Sequence, residues 1–275
     1  MKPKWLAPRC ELDTCPNRKR LWPGFSGEAS GILFQGSRLC GPECFERAVT
    51  EAITRLWPQR ADRKTKNHRV PLGLLMLSQG VISDRKLKAA LQAQRESGSG
   101  RLGEWLRRLG GLSEQQVTAA LGVQWSCPVF PLHSSRTYLD CGRLVPLPIL
   151  EASAMVPVHY LAPSGLLYLA FGGGIDHTAL YAVERMLECR TQPCLADQSS
   201  VERALDELRL QPRPTEIVFD SLRDPREMAR ASRNYAVSLE AHEARLVACA
   251  EYFWMRVVGP RQASNLAFRV LSKGG

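Results

Sequence analysis

PLGLLMLSQGVISDRKLKAALQAQ (residues 71–94) and RLGEWLRRLGGLSEQQVTAALGVQ (residues 101–124) are one segment written twice. At a constant offset of 30 positions, Leu72 matches Leu102, Gly73 matches Gly103, Gly80 matches Gly110 and Ser83 matches Ser113. Ala89, Ala90, Leu91 and Gln94 match Ala119, Ala120, Leu121 and Gln124 in the same register. Shared helical periodicity does not by itself repeat glycines and glutamines, so the pair is read as one supersecondary unit used twice. Each copy predicts a short helix, a tight corner and a second helix. Gly80 and Gly110 are expected to end the first helices, because glycine takes positive φ without a Cβ penalty. Ser83 and Ser113 follow as N-caps, and Gln116 completes a capping box that Lys86 cannot make in the first copy.

The rest of the chain divides around this pair. With 275 residues and 44% apolar content it can bury a sizeable core in two or three domains. No run approaches 18 uninterrupted apolar residues, and MKPKWLAPRC has no apolar signal-peptide core, so no membrane insertion and a cytoplasmic protein are expected. The formal net charge of +10 is uneven: residues 1–70 hold 14 Lys and Arg against 7 Asp and Glu, while residues 125–210 hold 6 against 9. A basic front end suits nucleic acid, an anionic ligand, an acidic partner or simple solubility.

Nine cysteines, an odd number, argue for thiols and a metal site over a disulfide framework. Cys10-x4-Cys15 precedes Cys40-x3-Cys44, with Gly24, Gly27, Gly31 and Gly36 between them for turns and a small hairpin around GILF. Two thiolates on a loop and two at the start of the helix FERAVTEAITRLW can close a tetrahedral Zn²⁺ site. The arrangement resembles a treble-clef zinc finger and makes residues 1–57 a metal-dependent module; four incidental buried cysteines are the alternative. Residues 58–69, PQRADRKTKNHR, read as a basic linker with a solvated His68.

Beyond the repeats, residues 125–210 alternate strand and helix patterns. CPVFPL, VPVHYLAP, LLYLAFG and TQPCLA read as strands, and PLPILEASA, HTALYAVERMLE and SSVERALDEL as helices, the last capped by Ser199 with Glu202. Gly172-Gly173-Gly174 is read as a permissive turn, since it matches neither GxxxxGK[ST] nor GxGxxG. Cys127, Cys141, Cys189 and Cys194 lie beside apolar elements and are read as buried thiols. His133, His159 and His177 show no metal-ligand spacing. Residues 211–275 form a helix-plus-hairpin tail, with the helix begun at Asp224-Pro225 and Tyr252, Phe253 and Trp254 in a satellite core. The fold class is α+β: a tandem helical repeat packed with a small α/β layer, preceded by a zinc-finger-like module and followed by an α+β tail.

The doubled pattern RLGxxLxxxGxLxxxxLxxxLxxQ resembles the MshEN-type, GspE-like N-terminal domain of type II secretion and type IV pilus assembly ATPases. Arg101, Leu102, Gly103, Leu106, Gly110, Leu112, Val117, Leu121 and Gln124 carry the resemblance, and the first copy has Pro71 where the pattern has Arg. The α/β order after the repeats is similar too, so the resemblance covers residues 70–210. It implies binding of cyclic di-GMP through Leu72, Gly73, Leu91, Gln94, Arg101, Leu102, Gly103, Leu121 and Gln124, and a secretion or pilus component as protein partner. The chemistry agrees. A ligand with two equivalent halves suits a duplicated unit, glycines let backbone approach a phosphate at a helix start, Arg101 can pair with phosphate, and the glutamines can bond a guanine edge. The alternative is a packing module whose glycines only make corners.

The ATPases of that family carry a P-loop domain after this one, and no GxxxxGK[ST] occurs in the present sequence. No Ser-His-Asp, Cys-His or paired-carboxylate arrangement stands out either. The expectation is a non-enzymatic receptor or adaptor. Two others stand beside it: a zinc-dependent nucleic-acid-binding protein using the basic N-terminal module, and a structural docking protein without a ligand.

Overall fold

The computed structural model describes residues 10–16, 31–57 and 69–270. Gly24, Gly27, His68 and most of the 58–69 linker lie outside the described residues. The chain divides into two compact units, one formed by residues 1–63 with 213–275 and the other by residues 64–212.

In the first unit β1 (Ile32–Phe34) and β2 (Ser37–Leu39) form a hairpin, and α1 (Pro42–Leu56) follows. Pro42 opens α1 at a position where the missing N–H is harmless, and Cys44, Phe45, Val49 and Ile53 make its buried stripe.

The second unit begins with the repeats: α2 (Leu72–Ser78) and α3 (Asp84–Ser97), then α4 (Leu102–Gly110) and α5 (Glu114–Trp125). Their shared core obeys the sequence offset, with Met76 and Leu106, Leu87 and Val117, and Ala90 and Ala120 all buried in one cluster. Ser113 makes the complete capping box with Gln116, and Ser83 caps α3 without a side-chain bond. The corners differ by one residue. Gly80 takes φ 71° in the first copy, but Gly111, not Gly110, takes the left-handed position in the second, at φ 68°. Gly110 stays inside α4 and is buried beside Ile82.

Two short helices, α6 (Tyr138–Cys141) and α7 (Leu147–Ala152), lead to β3 (Met155–Leu161) and β4 (Leu166–Gly172). Then come α8 (His177–Leu187), β5 (Arg190–Ala196) and α9 (Gln198–Arg209). β3 and β4 pair antiparallel and β4 and β5 parallel. Residues 127–132 are not the expected strand. Pro128 and Pro131 cannot donate to a ladder, and pairing is limited to a bridge between Val129 and Leu195. Ser199 is not the cap of α9 either: Asp197 holds that position and Ser199 lies in the first turn.

The chain then returns to the first unit with β6 (Glu216–Phe219), α10 (Pro225–Ser238), β7 (Glu243–Cys249), β8 (Tyr252–Val258) and β9 (Ala263–Arg269). These strands join the N-terminal hairpin in one six-stranded sheet of order β2-β1-β7-β8-β9-β6. The expected free-standing module of residues 1–57 and separate tail of 211–275 are therefore corrected. Leu33 and Phe34 pair in parallel with Glu243 and Ala244, and one core holds Leu39, Phe45 and Ile53 with Leu246, Phe253 and Phe268.

Close helix contact in the repeats rests on two glycines. A Cβ on Gly73 would lie 2.7 Å from Leu87 Cδ1, and one on Gly103 would lie 2.9 Å from Val117 Cγ1. The leucine methyl ends a flexible side chain, whereas a helical valine is held in one χ1 rotamer. Gly103→Ala is thus expected to destabilise by about 1–3 kcal/mol, and Gly73→Ala by less. Urea titration of both variants measures the difference, and equal losses would contradict this packing account.

Candidate functional site

Two side chains close the repeat pair on itself. Gln94, at the end of the first copy, donates through Nε2 to the carbonyl of Gly100, just before the second copy, at 3.0 Å. Gln124, its counterpart 30 positions later, donates to the carbonyl of Val70, just before the first copy, at 2.6 Å. The two bonds are images of one another. In this arrangement the glutamines are fixed by backbone, not free in solvent.

A pocket of about 130 Å³ opens on the second copy. Arg101, Leu102, Gly103, Glu104 and Arg107 line it from α4 and the residue before it, and Glu114, Val117, Thr118, Leu121 and Gln124 from α5. Leu72 is the first copy's share, and Gly173 and Gln198 close the remaining side. Of the candidate ligand residues, the pocket therefore gathers Leu72, Arg101, Leu102, Gly103, Leu121 and Gln124. It does not include Gly73, which is buried under Leu87, nor Leu91 and Gln94.

Arg101 precedes α4 in extended conformation, and its Nη1 donates to the carbonyl of Gly172 at 3.2 Å. Gly173 has φ 89°, and a Cβ there would lie 2.4 Å from Arg101 Nη1. The glycine run is thus more than a turn. It is where the guanidinium rests. Beside it, a Cβ on Gly174 would come within 3.2 Å of the Trp125 ring, and Arg69 stacks on that ring at 3.5 Å with Nη2 3.3 Å from His177 Nε2. Arg69 is engaged with the end of the second copy rather than standing at the start of the first.

The pocket wall is fastened to the α/β layer by carboxylates. Glu114 accepts the Ser199 amide at 3.0 Å and its hydroxyl at 2.6 Å, capping α9 from another element. Thr118 donates to Asp197 at 2.6 Å, which occupies the carboxylate that would otherwise cap α9. Sequence reasoning missed Glu104, Arg107, Glu114, Thr118, Gly173 and Gln198. Only their placement at the same helix faces as Arg101 and Gln124, or between a strand and a helix, marks them in the sequence.

Burial alone would raise the Glu114 carboxyl, but the Ser199 hydrogen bonds, with Arg107 at 3.4 Å, outweigh it and hold the group below its ordinary value. A depressed carboxyl stabilises the fold above its unfolded pKa, and that contribution is lost as pH falls through the folded value. Glu114→Gln should cost about 1–2 kcal/mol at neutral pH, with the difference from the parent closing below roughly pH 4. Urea midpoints at the two pH values test this; a gap independent of pH would show that charge is not involved.

The second constellation is in the other unit. Cys10, Cys15, Cys40 and Cys44 bring their Sγ atoms within 4.8 Å of one another, and could hold a metal ion. The Cys15–Cys40 and Cys40–Cys44 separations are 3.7 and 3.4 Å, beyond any disulfide and near the roughly 3.8 Å between sulfurs around a tetrahedral zinc. The Cys10–Cys15 loop is held by Glu11 N–H to the Arg38 carbonyl at 2.9 Å and by Arg47 to the Thr14 carbonyl at 3.1 Å. Burial pushes the Cys40 thiol up to about 11, and Cys44 rises for the same reason, so a cation is what would make these sulfurs thiolates. Cys141, Cys189, Cys194 and Cys249 are buried, whereas Cys127 is half-buried; Cys127 donates to the Pro193 carbonyl at 3.0 Å and Cys194 to that of Leu169 at 3.5 Å. Among the described residues the four N-terminal cysteines form the one metal-capable group.

No protein-family model matches the chain. The type IV pilus assembly ATPase PilB of Myxococcus xanthus is 28% identical over 113 residues, which are 41% of this chain and 19% of PilB. PilB of Thermus thermophilus is 27% identical over 134 residues, 49% of this chain and 15% of that protein. The matched region is thus less than a fifth of either ATPase. Among solved structures, that of MshE with cdg is 28% identical and covers 51% of this chain and 99% of that one, with a TM-score of 0.45.

The repeat pair and the α/β layer behind it form a helical-repeat domain, and part of the chain is similar to less than a fifth of two pilus assembly ATPases. Specifically, the doubled motif and the similarity to the two pilus ATPases mark a GspE/MshEN-type N-terminal domain. The sequence that accompanies it here contains no P-loop.

Proposed function

We propose that the chain is a non-enzymatic receptor or adaptor related to type II secretion or pilus assembly, which binds cyclic di-GMP at the repeats. The observation that carries this reading is the pocket, in which Arg101, Leu102, Gly103, Leu121 and Gln124 of the doubled motif meet Leu72 of the other copy. Arg101 offers a guanidinium to a phosphate, and the N–H groups at the start of α4 add to the same field. The partner that reads the bound state is a component of the secretion or pilus machinery.

The four-cysteine centre holds structural Zn²⁺ in this reading. Four thiolates are the donor set of closed zinc sites and leave no position for substrate. Zinc there orders the Cys10–Cys15 loop against β2 and α1.

Two measurements test these assignments. Isothermal titration of cyclic di-GMP into the full chain should give saturable binding, weakened about tenfold or more by Arg101→Ala. Absence of heat at high micromolar ligand rejects the receptor reading. Elemental analysis should find one zinc per chain, and its chelation should lower amide protection in β8 as well as in residues 31–57, because they share a core. Protection lost from the hairpin and α1 alone would mean that the cores are independent.

A further inference from the structure

The two copies share a backbone and a core but not a lining. Where the second copy presents Arg101, Glu104, Arg107 and Thr118 to the pocket, the first has Pro71, Leu74, Leu77 and Lys88 at the same positions. Pro71 has no side-chain donor, and Leu74 stands 55% exposed where Glu104 lies half-buried. Arg69, the nearest cation upstream, is stacked on Trp125. The volume agrees with this asymmetry: about 130 Å³ is well under the roughly 300–1,000 Å³ of sites that enclose a whole drug-sized ligand.

Gln124 lines the pocket with one N–H of its Nε2 committed to the Val70 carbonyl, which leaves Oε1 and a second N–H for a base edge. A guanine edge, with N1–H beside the O6 acceptor, can engage both.

Building on the receptor reading above, we infer that the site recognises one guanine nucleotide unit, through the second copy alone. The phosphate lies toward Arg101 and Arg107 and the base edge toward the Gln124 amide. The other half of a cyclic dinucleotide rests against Leu72 and the exposed apolar start of α2, without a matching set of polar contacts. Gly173 is a positioning residue in this scheme, since it leaves room for the guanidinium that a Cβ would displace.

The pseudo-symmetric glutamines give a matched pair of variants. Gln94→Ala and Gln124→Ala each delete one bond to a backbone carbonyl between copies, so their structural costs are comparable, and thermal melting checks this. Calorimetry on the full chain uses cyclic di-GMP and 5′-GMP as probes. Expected are 5′-GMP binding in competition with cyclic di-GMP, Gln124→Ala weakened about tenfold or more, and Gln94→Ala within about twofold of the parent. Equal losses in the two glutamine variants, or no competition by 5′-GMP while cyclic di-GMP binds, would overturn the one-unit inference and leave the receptor reading standing. No binding by any of the nucleotides would overturn both.

Discussion

The repeat domain depends on close helix packing, between copies where α3 meets α4 and α2 meets α5, and within each copy at Gly73 against Leu87 and Gly103 against Val117. The cluster between the four helices contains only seven buried residues, so little apolar area is available and close packing must supply the rest. With the helices this near, Gln94 and Gln124 reach the carbonyls that precede the opposite copies. Those bonds hold the starts of α2 and α4, and the start of α4 is where the pocket lies. A small core, a close contact and a fixed helix start are thus one chain of cause.

The same chain explains why the copies have diverged at the surface and not within. Met76 and Leu106, or Ala90 and Ala120, face one another's surroundings across the pseudo-symmetry, and a volume change at either is felt by both copies. Leu74 and Glu104 face solvent or a ligand, where exchange has little effect on the fold. Pro71 belongs to this second class. With φ −56° and ψ 136° it serves as the N-cap of α2 about as well as Arg101, at −87° and 147°, serves α4. Its consequence falls on recognition, through the absent guanidinium.

Much of this was legible in sequence because it is local or repeated. The offset of 30 exposed the repeat, Ser113 and Gln116 announced their capping box, and the cysteine spacings placed four sulfurs where the structure brings them together. The parts that were not legible depend on distant neighbours. β1 is three residues long and pairs with β7 more than two hundred residues later, so neither periodicity nor turn chemistry points to the sheet they share. Ser199 looks like a cap in its own segment, but Glu114 reaches it from α5 and Asp197 takes the cap position. The glycines at 172–174 read as a turn until Arg101 and Trp125 are seen against them.

The six-stranded sheet also changes what a metal has to do. A module of residues 1–57 alone would have few large apolar side chains and would depend on its ion for folding. In the structure Phe34 and Phe45 meet edge to face at 5.5 Å, Trp57 lies 5.7 Å from Phe253, and both pairs belong to the core that α10 and β7–β9 complete. The hairpin and α1 are therefore supported from the C-terminal strands as well. The Cys10–Cys15 loop is tied to β2 and α1 by a few hydrogen bonds and by Leu12, which is buried in the same core. Four sulfurs converging at that loop add a cross-link at one edge of a core built from both ends of the chain, so an ion held there acts on the whole unit.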